Sequence, residues 1–271
     1  MIKLDPITLE TIWRPTSWRQ RLQRWGVWLF ITIVILISWR AIARETIWDF
    51  VWDAHSQAAQ LTARMIPPNF AITGSLLRPL WDTINIATLG TLLGLVIATP
   101  LAFLAAKNTT PHIVVRQIAL FFIVSSRSVA SLIWALLFVS IVGPGILAGI
   151  LAIGVRSVGF IAKLLYEAIE EIDPSQVEAI RATGASQAQV MAFGFVPQVL
   201  PAYVGINVFR WDINIRESTV LGLVGAGGIG LNLDAAVNTM AWDNAATIFV
   251  AIFILVIFSE LVSAKVRKKF I

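Results

Sequence analysis

The sequence predicts an all-α polytopic membrane protein with about six transmembrane helices. Three observations predict it. Of 271 residues, 57% are hydrophobic and 14% charged, which is too apolar for a water-soluble domain and too evenly spread for a single anchor. Apolar runs near the ~20 residues that cross a bilayer recur along the chain, separated by polar or Gly/Pro-rich turns. The basic residues, net +5, gather at the ends of those runs, which suits anionic lipid headgroups better than nucleic acid.

Taken in order, residues 1–24 form a basic cytoplasmic segment. Lys3, Arg14, Arg19, Arg21 and Arg24 alternate there with Trp13 and Trp18, as at a headgroup interface. Residues 25–44 form an additional N-terminal transmembrane helix, its start held inside by the basic flank. Residues 45–79 form an external amphipathic helix and loop: Ile47, Phe50, Val51, Ala54, Ala58, Leu61 and Met65 share a face, and Pro67-Pro68 ends it. Residues 80–263 hold the membrane core, and residues 264–271 are a basic cytoplasmic tail.

Within the core, the second span runs from Leu80 to Ala106. Its Thr83, Asn85, Thr88, Gly90 and Gly94 permit close helix packing, and Asn85 is the one assigned to a polar path. From Pro111 to Val142 the apolar run is interrupted by Ser125-Ser126-Arg127-Ser128. A charge there faces protein or water. Either an elbow helix precedes a short span, or one kinked span contains Arg127; Trp134 follows. After the turn Gly143-Pro144-Gly145, the fourth span runs from Ile146 to Tyr166 with Arg156 inside it.

The fifth span starts after Pro201 and is the most polar. Asn207, Arg210 and Asn214 share a helical face, and Asp212 and Arg216, four residues apart, can pair. Internal charge pairing and a polar path for an anion both fit. The path candidates are Asn85, Arg127, Trp134, Asn207, Arg210, Asn214 and Arg216, with Arg216 first. Next, Gly225, Gly227, Gly228 and Gly230 crowd a segment unfit for regular helix. Irregular backbone at membrane depth needs protein or a water cavity around it, so this reads as a bend or gate near the outer face. The sixth span runs from Ala245 to Leu261, which leaves both termini cytoplasmic.

Residues 167–201 form a long cytoplasmic loop. Asp173-Pro174 starts one short helix, Gly184 ends it, and Ser186 caps a second. An ordinary connector and a docking surface both fit this pattern.

The chemistry of catalysis is missing from the sequence. There is no cysteine, His55 and His112 stand far apart, and no HExxH or Ser/His pairing occurs, so no catalytic or metal-binding residue is predicted. There is no Walker A sequence either, so ATP is not bound by that route.

Glu178-Ala179, Gly184 and Val196-Pro197 resemble the EAA motif of ABC-importer permeases. Ile180 replaces the second motif alanine, and Gly194 stands where isoleucine is usual. The stretches LLRPLWDTINIATLGTLLGLVIATPLAFLAAKN, LIWALLFV, EAIEEIDPSQVEAIRATGAS, VPQVLPAY and RWDINIRESTVLGLVGAGGIG resemble the phosphonate permease family, which also includes phosphite importers. Arg127 to Ser131 departs from that family by lacking its Pro-acid pair. The resemblance implies a type I ABC importer permease fold in the cell inner membrane. It implies a homodimer with two cytoplasmic ATPase subunits, which hold ATP and Mg, and an external substrate-binding protein. The coupling residues it implies are Glu178, Ala179, Arg181, Gly184, Val196 and Pro197. A methionine-type importer shares the looser outline, and a passive channel or scaffold subunit is the reading from another class.

Overall fold

In lipid, every backbone N–H must find its carbonyl within its own segment, so long apolar runs become long helices. Five helices are long and apolar enough to cross a bilayer: Trp18–Glu45, Phe70–Ala105, Ile146–Glu170, Gln187–Val224 and Trp242–Lys269. A bent helix pair, Ile113–Ser128 with Ser131–Val142, is a sixth if counted as one span. This computed structural model describes residues 2–4, 11–13 and 18–270, in two units, Met1–Gln60 and Leu61–Ile271.

In the first unit, strand β1 (Ile2–Leu4) pairs antiparallel with β2 (Thr11–Trp13). Residues 5–10 and 14–17 of the expected interfacial segment, Arg14 among them, lie outside the described residues. Helix α1 (Trp18–Glu45) begins seven residues before the expected start of the first span, because 18–24 contains neither Gly nor Pro to stop it. None of its residues is buried, as befits a helix whose apolar surface is left to lipid. The expected amphipathic helix is broken at Asp53 into α2 (Trp48–Trp52) and α3 (Ala54–Met65). The Ser56 hydroxyl donates to the Asp53 carbonyl at 2.9 Å, a local bond that competes with helix continuation.

In the second unit, α4 (Thr73–Ala105) starts earlier than Leu80 and carries Pro79 and Pro100 inside it. It crosses α7 (Ile146–Glu170) along small residues: Gly90 lies against Ile153, and Gly94 against Ser157. Between them in sequence come α5 (Ile113–Ser128) and α6 (Ser131–Val142), bent by 89° at Val129-Ala130. At ~1.5 Å per residue these are about 24 and 18 Å long, each short of a ~30 Å hydrocarbon core. The run is thus two helices meeting at a sharp bend rather than one continuous helix, and Arg127 stands exposed in the last turn of α5. Helix α7 holds the bend. The Ser126 hydroxyl donates to the Val155 carbonyl and accepts from the Gly159 amide, while the Arg156 guanidinium donates to the Val129 carbonyl at 3.0 Å.

Two short helices follow, α8 (Pro174–Ala182) and α9 (Gln187–Val190), then a wide π turn, Met191–Phe195. Helix α10 (Val196–Leu221) begins before Pro201 rather than after it. Pro197 occupies the first turn, where a helix has donors to spare, and Pro201 is carried as an interior proline of a membrane helix. A 3-10 turn, Gly222–Val224, leads through glycines to α11 (Ile229–Asn238), and α12 (Trp242–Phe270) absorbs most of the expected tail. Ile271 lies outside the described residues.

Candidate functional site

Charged side chains inside the second unit meet where α7 and α10 face each other. Arg210 is 2% exposed. Its Nη1 and Nη2 donate to Glu217 Oε1 and Oε2 at 3.3 and 3.4 Å, and its Nε donates to Ser157 Oγ at 3.0 Å. Its guanidinium carbon stands 5.0 Å from the centre of the Phe160 ring. Glu217 is shared: Arg156 Nε lies 3.6 Å from Oε1, too far for a hydrogen bond, and that buried nitrogen has no hydrogen-bond partner among the described residues. Two guanidiniums and one carboxylate leave the cluster one positive charge in excess.

Asn214 joins this cluster. It is fully buried, its Nδ2 donates to Thr91 Oγ1 at 2.7 Å and Ser157 Oγ at 3.0 Å, and its Oδ1 has no partner among the described residues. Ser157 thus links α7 to both Arg210 and Asn214, with Thr91 reaching in from α4. A second pair lies on another side of α10. Arg216 pairs with Asp212, whose Oδ1 accepts from Ser259 Oγ of α12 at 2.7 Å. Asp212 is buried there while Arg216 is exposed.

Of the path candidates, the structure brings Arg210 and Asn214 together. Asn207 is half-buried and donates to the Tyr203 carbonyl at 2.6 Å. Trp134 is half-buried and stacked on Phe138, with ring centroids 6.1 Å apart and its buried Nε1 without a partner among the described residues. Asn85 is half-buried on α4. Arg127 and Arg216 stand apart from the cluster. Sequence reasoning missed Arg156, Ser157 and Glu217 as members. The available signal was Arg156, flanked on both sides by apolar stretches of α7, where a charge has to find a partner inside the protein.

The glycine segment combines left-handed turns with close backbone approaches. Gly225, Gly227 and Gly228 have φ of +87°, +86° and +75°, a left-handed backbone that glycine adopts without strain. The Gly145 amide donates to the Gly225 carbonyl at 2.9 Å, and the Ile229 amide donates to Thr83 Oγ1 at 2.8 Å. A Cβ on Gly230 would collide with the Thr219 carbonyl oxygen and sit 2.8 Å from the Gly222 Cα.

At the other end of α10 the loop is held by its apolar side and open on its polar side. Val177, Val190 and Phe195 are buried in one cluster with Ala102 and Ala105 of α4 and Leu165 and Ile169 of α7. Burying side chains of this size is worth roughly 1.5–3 kcal/mol each relative to water. Asp173 accepts from the Ser175 amide at 2.9 Å and its hydroxyl at 2.7 Å, and these bonds hold its carboxyl below the usual carboxylate range. The Asp173 amide donates to Gln198 Oε1 at 3.0 Å, which ties α8 to α10. Gly184 takes φ +78° between α8 and α9, and Ser186 and Gln189 cap α9 reciprocally. Glu178, Ala179, Arg181, Val196 and Pro197 are exposed. Glu178 and Arg181 border a cleft of about 260 Å³ together with Asn108, Glu170, Pro174 and Phe195.

Long apolar helices, a sharply bent helix pair, a buried ionic cluster and a helical loop anchored to the core are the architecture of a polytopic membrane protein. The chain belongs to the family described as binding-protein-dependent transport system inner membrane component, which matches residues 98–267. It is 41% identical over 212 residues to the phosphite transport system permease protein PtxC of Stutzerimonas stutzeri, covering 78% of this chain and 77% of that one. It is 34% identical over 271 residues to the phosphate-import permease protein PhnE of Mycolicibacterium smegmatis, covering 100% of this chain and 49% of the relative. A third relative, the putative phosphite transport system permease protein HtxC of Stutzerimonas stutzeri, is 30% identical over 279 residues, covering 98% of this chain and 93% of that protein. The fold is similar to that of an inward-facing MetNI methionine ABC transporter chain, with a TM-score of 0.64 at 23% identity, covering 75% of this chain and 99% of that chain. The protein is therefore a multi-pass inner-membrane permease component of an ABC importer with the type I permease fold, and not an enzyme.

Proposed function

We propose that this chain is the permease of an ATP-driven importer for a phosphorus oxyanion, phosphite or a phosphonate. The observation that carries the anion assignment is the cluster of Arg156, Arg210 and Glu217, whose net positive charge inside a membrane protein is costly unless it serves an anion. The relatives named for phosphite and phosphate support the same class. The polar path runs along Asn85, Trp134, Asn207, Arg210 and Asn214, with Arg127 and Arg216 at its approaches. The segment Gly225 to Gly230 is its gate.

Two copies of the chain assemble with two cytoplasmic ATPases and an external binding protein. Both termini lie in the cytoplasm, together with the loop 167–201. Glu178, Ala179, Arg181 and Gly184 present the loop to the ATPase, and closure of the ATPases moves it. What supports this reading is the loop's construction: its outer face is open, while Val177, Val190 and Phe195 key it into the span core. A push on α8 is thus transmitted to α4, α7 and α10 rather than absorbed by a slack connector.

The test is ATPase stimulation in liposomes that hold the permease, its ATPase and its binding protein. Stimulation by phosphite or methylphosphonate is expected. Stimulation by methionine alone moves the chain to another importer class, and failure of any ATPase to co-purify removes the coupling-loop reading.

A further inference from the structure

From the geometry of the cluster we infer that Arg156, Arg210 and Glu217 form an anion-exchange site, in which the Glu217 carboxylate occupies the place of a transported phosphorus oxyanion and yields it during transport. This rests on the oxyanion reading above and deepens it. The bond pattern carries the argument. Arg210 grips Glu217 through two parallel contacts, Nη1 to Oε1 at 3.3 Å and Nη2 to Oε2 at 3.4 Å. A guanidinium fork binds two oxygens of a phosphite or phosphonate in the same way as it binds a carboxylate, so the fork cannot distinguish them by geometry. Both contacts are long for charged hydrogen bonds, which favours exchange over permanent pairing.

The two arginines differ in their remaining freedom. Arg210 is fixed by Ser157 and rests against Phe160. Arg156 spends Nη1 on the Val129 carbonyl, keeps an Nε that has no hydrogen-bond partner among the described residues facing Glu217 at 3.6 Å, and has a side chain 30% exposed. An incoming oxyanion therefore meets Arg156 first. Because Val129 lies at the 89° bend between α5 and α6, the bond from Arg156 also ties the site to the one break in that pair of helices. With Glu217 in place the cluster carries one excess positive charge, and a singly charged oxyanion beside Arg156 brings it to zero. This arrangement attracts an anion without retaining it, because Glu217 competes for the same donors.

The experiment measures phosphite binding to the permease–ATPase complex, without binding protein, by equilibrium dialysis, alongside phosphite uptake by the full complex in liposomes. Relative to the parent complex, Glu217→Gln is expected to bind phosphite at least tenfold tighter and to transport it more slowly, because the competing carboxylate is gone. Arg156→Gln is expected to bind at least tenfold more weakly, and Arg156→Lys to restore part of the loss. Arg156 is partly exposed, so its variants decide the matter if Glu217→Gln does not assemble with the ATPase. Phosphite binding unchanged in Arg156→Gln, or no gain in an assembled Glu217→Gln, overturns the site even where the parent complex imports phosphite. A parent complex that imports no phosphorus oxyanion removes the oxyanion reading itself, and the site with it.

Discussion

Arg210 and Glu217, seven residues and two turns apart on α10, close on each other at 3.3 and 3.4 Å while Arg210 is only 2% exposed. The pair is asymmetric: Glu217 also faces Arg156, whereas among the described residues Arg210 meets no carboxylate but Glu217. Removing the carboxylate therefore costs more than removing the buried cation. Glu217→Ala is expected to lose about 3–5 kcal/mol by stranding Arg210, and Arg210→Met less, since Glu217 keeps Arg156. Thermal unfolding of both variants in detergent checks the order, and the reverse order counts against this description of the cluster.

Asp212 and Arg216 form the second ionic pair, with the carboxylate buried and the guanidinium exposed. Arg216→Ala leaves Asp212 with Ser259 Oγ at 2.7 Å as its remaining side-chain partner. The single change is expected to lower stability by about 1–3 kcal/mol, and Asp212→Asn is expected to recover part of it in the double variant. A double-mutant cycle read by unfolding gives the coupling. Anion uptake by Arg216→Ala, measured in parallel, is expected to fall further than assembly does; equal uptake reduces Arg216 to a structural partner of Asp212.

Gly184 joins α8 to α9 at φ +78°, with open space around the position of its missing Cβ. The constraint is on the backbone rather than on packing, so a side chain costs about 1–2 kcal/mol by forcing the left-handed region. Gly184→Val is expected to leave the protein folded, re-aim α9 and uncouple ATP hydrolysis from uptake. Uptake and hydrolysis measured on the same liposomes check this, and unaltered coupling speaks against the loop's proposed role.

Gly230 is constrained by space. A methyl group there meets the Thr219 carbonyl and the Gly222 Cα, both backbone and unable to swing aside. Gly230→Ala is expected to destabilise by about 1–3 kcal/mol, through separation of α11 from the end of α10. The melting temperature and the yield of folded protein in detergent report it.

The Asp173 carboxyl is held below its ordinary range by the Ser175 hydroxyl and amide. The support it gives to the start of α8 is therefore present above the ordinary carboxylate pKa and lost as pH falls through the lowered one. Amide hydrogen exchange at residues 175–178 is expected to quicken in Asp173→Ala at neutral pH, and in the parent protein only under strongly acidic conditions. Equal exchange in the two at neutral pH removes the cap's role.

Much of the architecture could be read from the chain because hydropathy, Gly and Pro act locally. Each apolar run satisfies its own backbone bonds wherever it lies, and Gly184 and Asp173-Pro174 mark the loop helices without outside help. Span ends were read less well. Residues 18–24, 73–79 and 196–201 carry polar or proline residues, yet they extend helices, because helix propagation continues until a residue actively stops it. The broken span stayed open for the same reason: no residue at Val129-Ala130 forces an 89° bend, and the contacts that hold it come from Ser126, Gly159 and Arg156 across α7.

Residue by residue, then, the chain determined that this is a helical membrane protein, which segments are apolar enough to cross, save the bent pair, and that α10 carries the charged face. Tertiary structure decided which charges meet. Arg210 had Asp212, Arg216 and Glu217 as neighbours on its own helix, and local spacing favoured the pair Asp212–Arg216. That Glu217 instead serves both Arg210 and Arg156 depends on α7 lying against α10, with Ser157 beside Gly94 of α4 at a crossing only small residues allow. Hydropathy acts through the surroundings each residue shares with its neighbours in sequence. An ion pair acts over a few ångströms between residues far apart in the chain, so it exists only once the helices have packed.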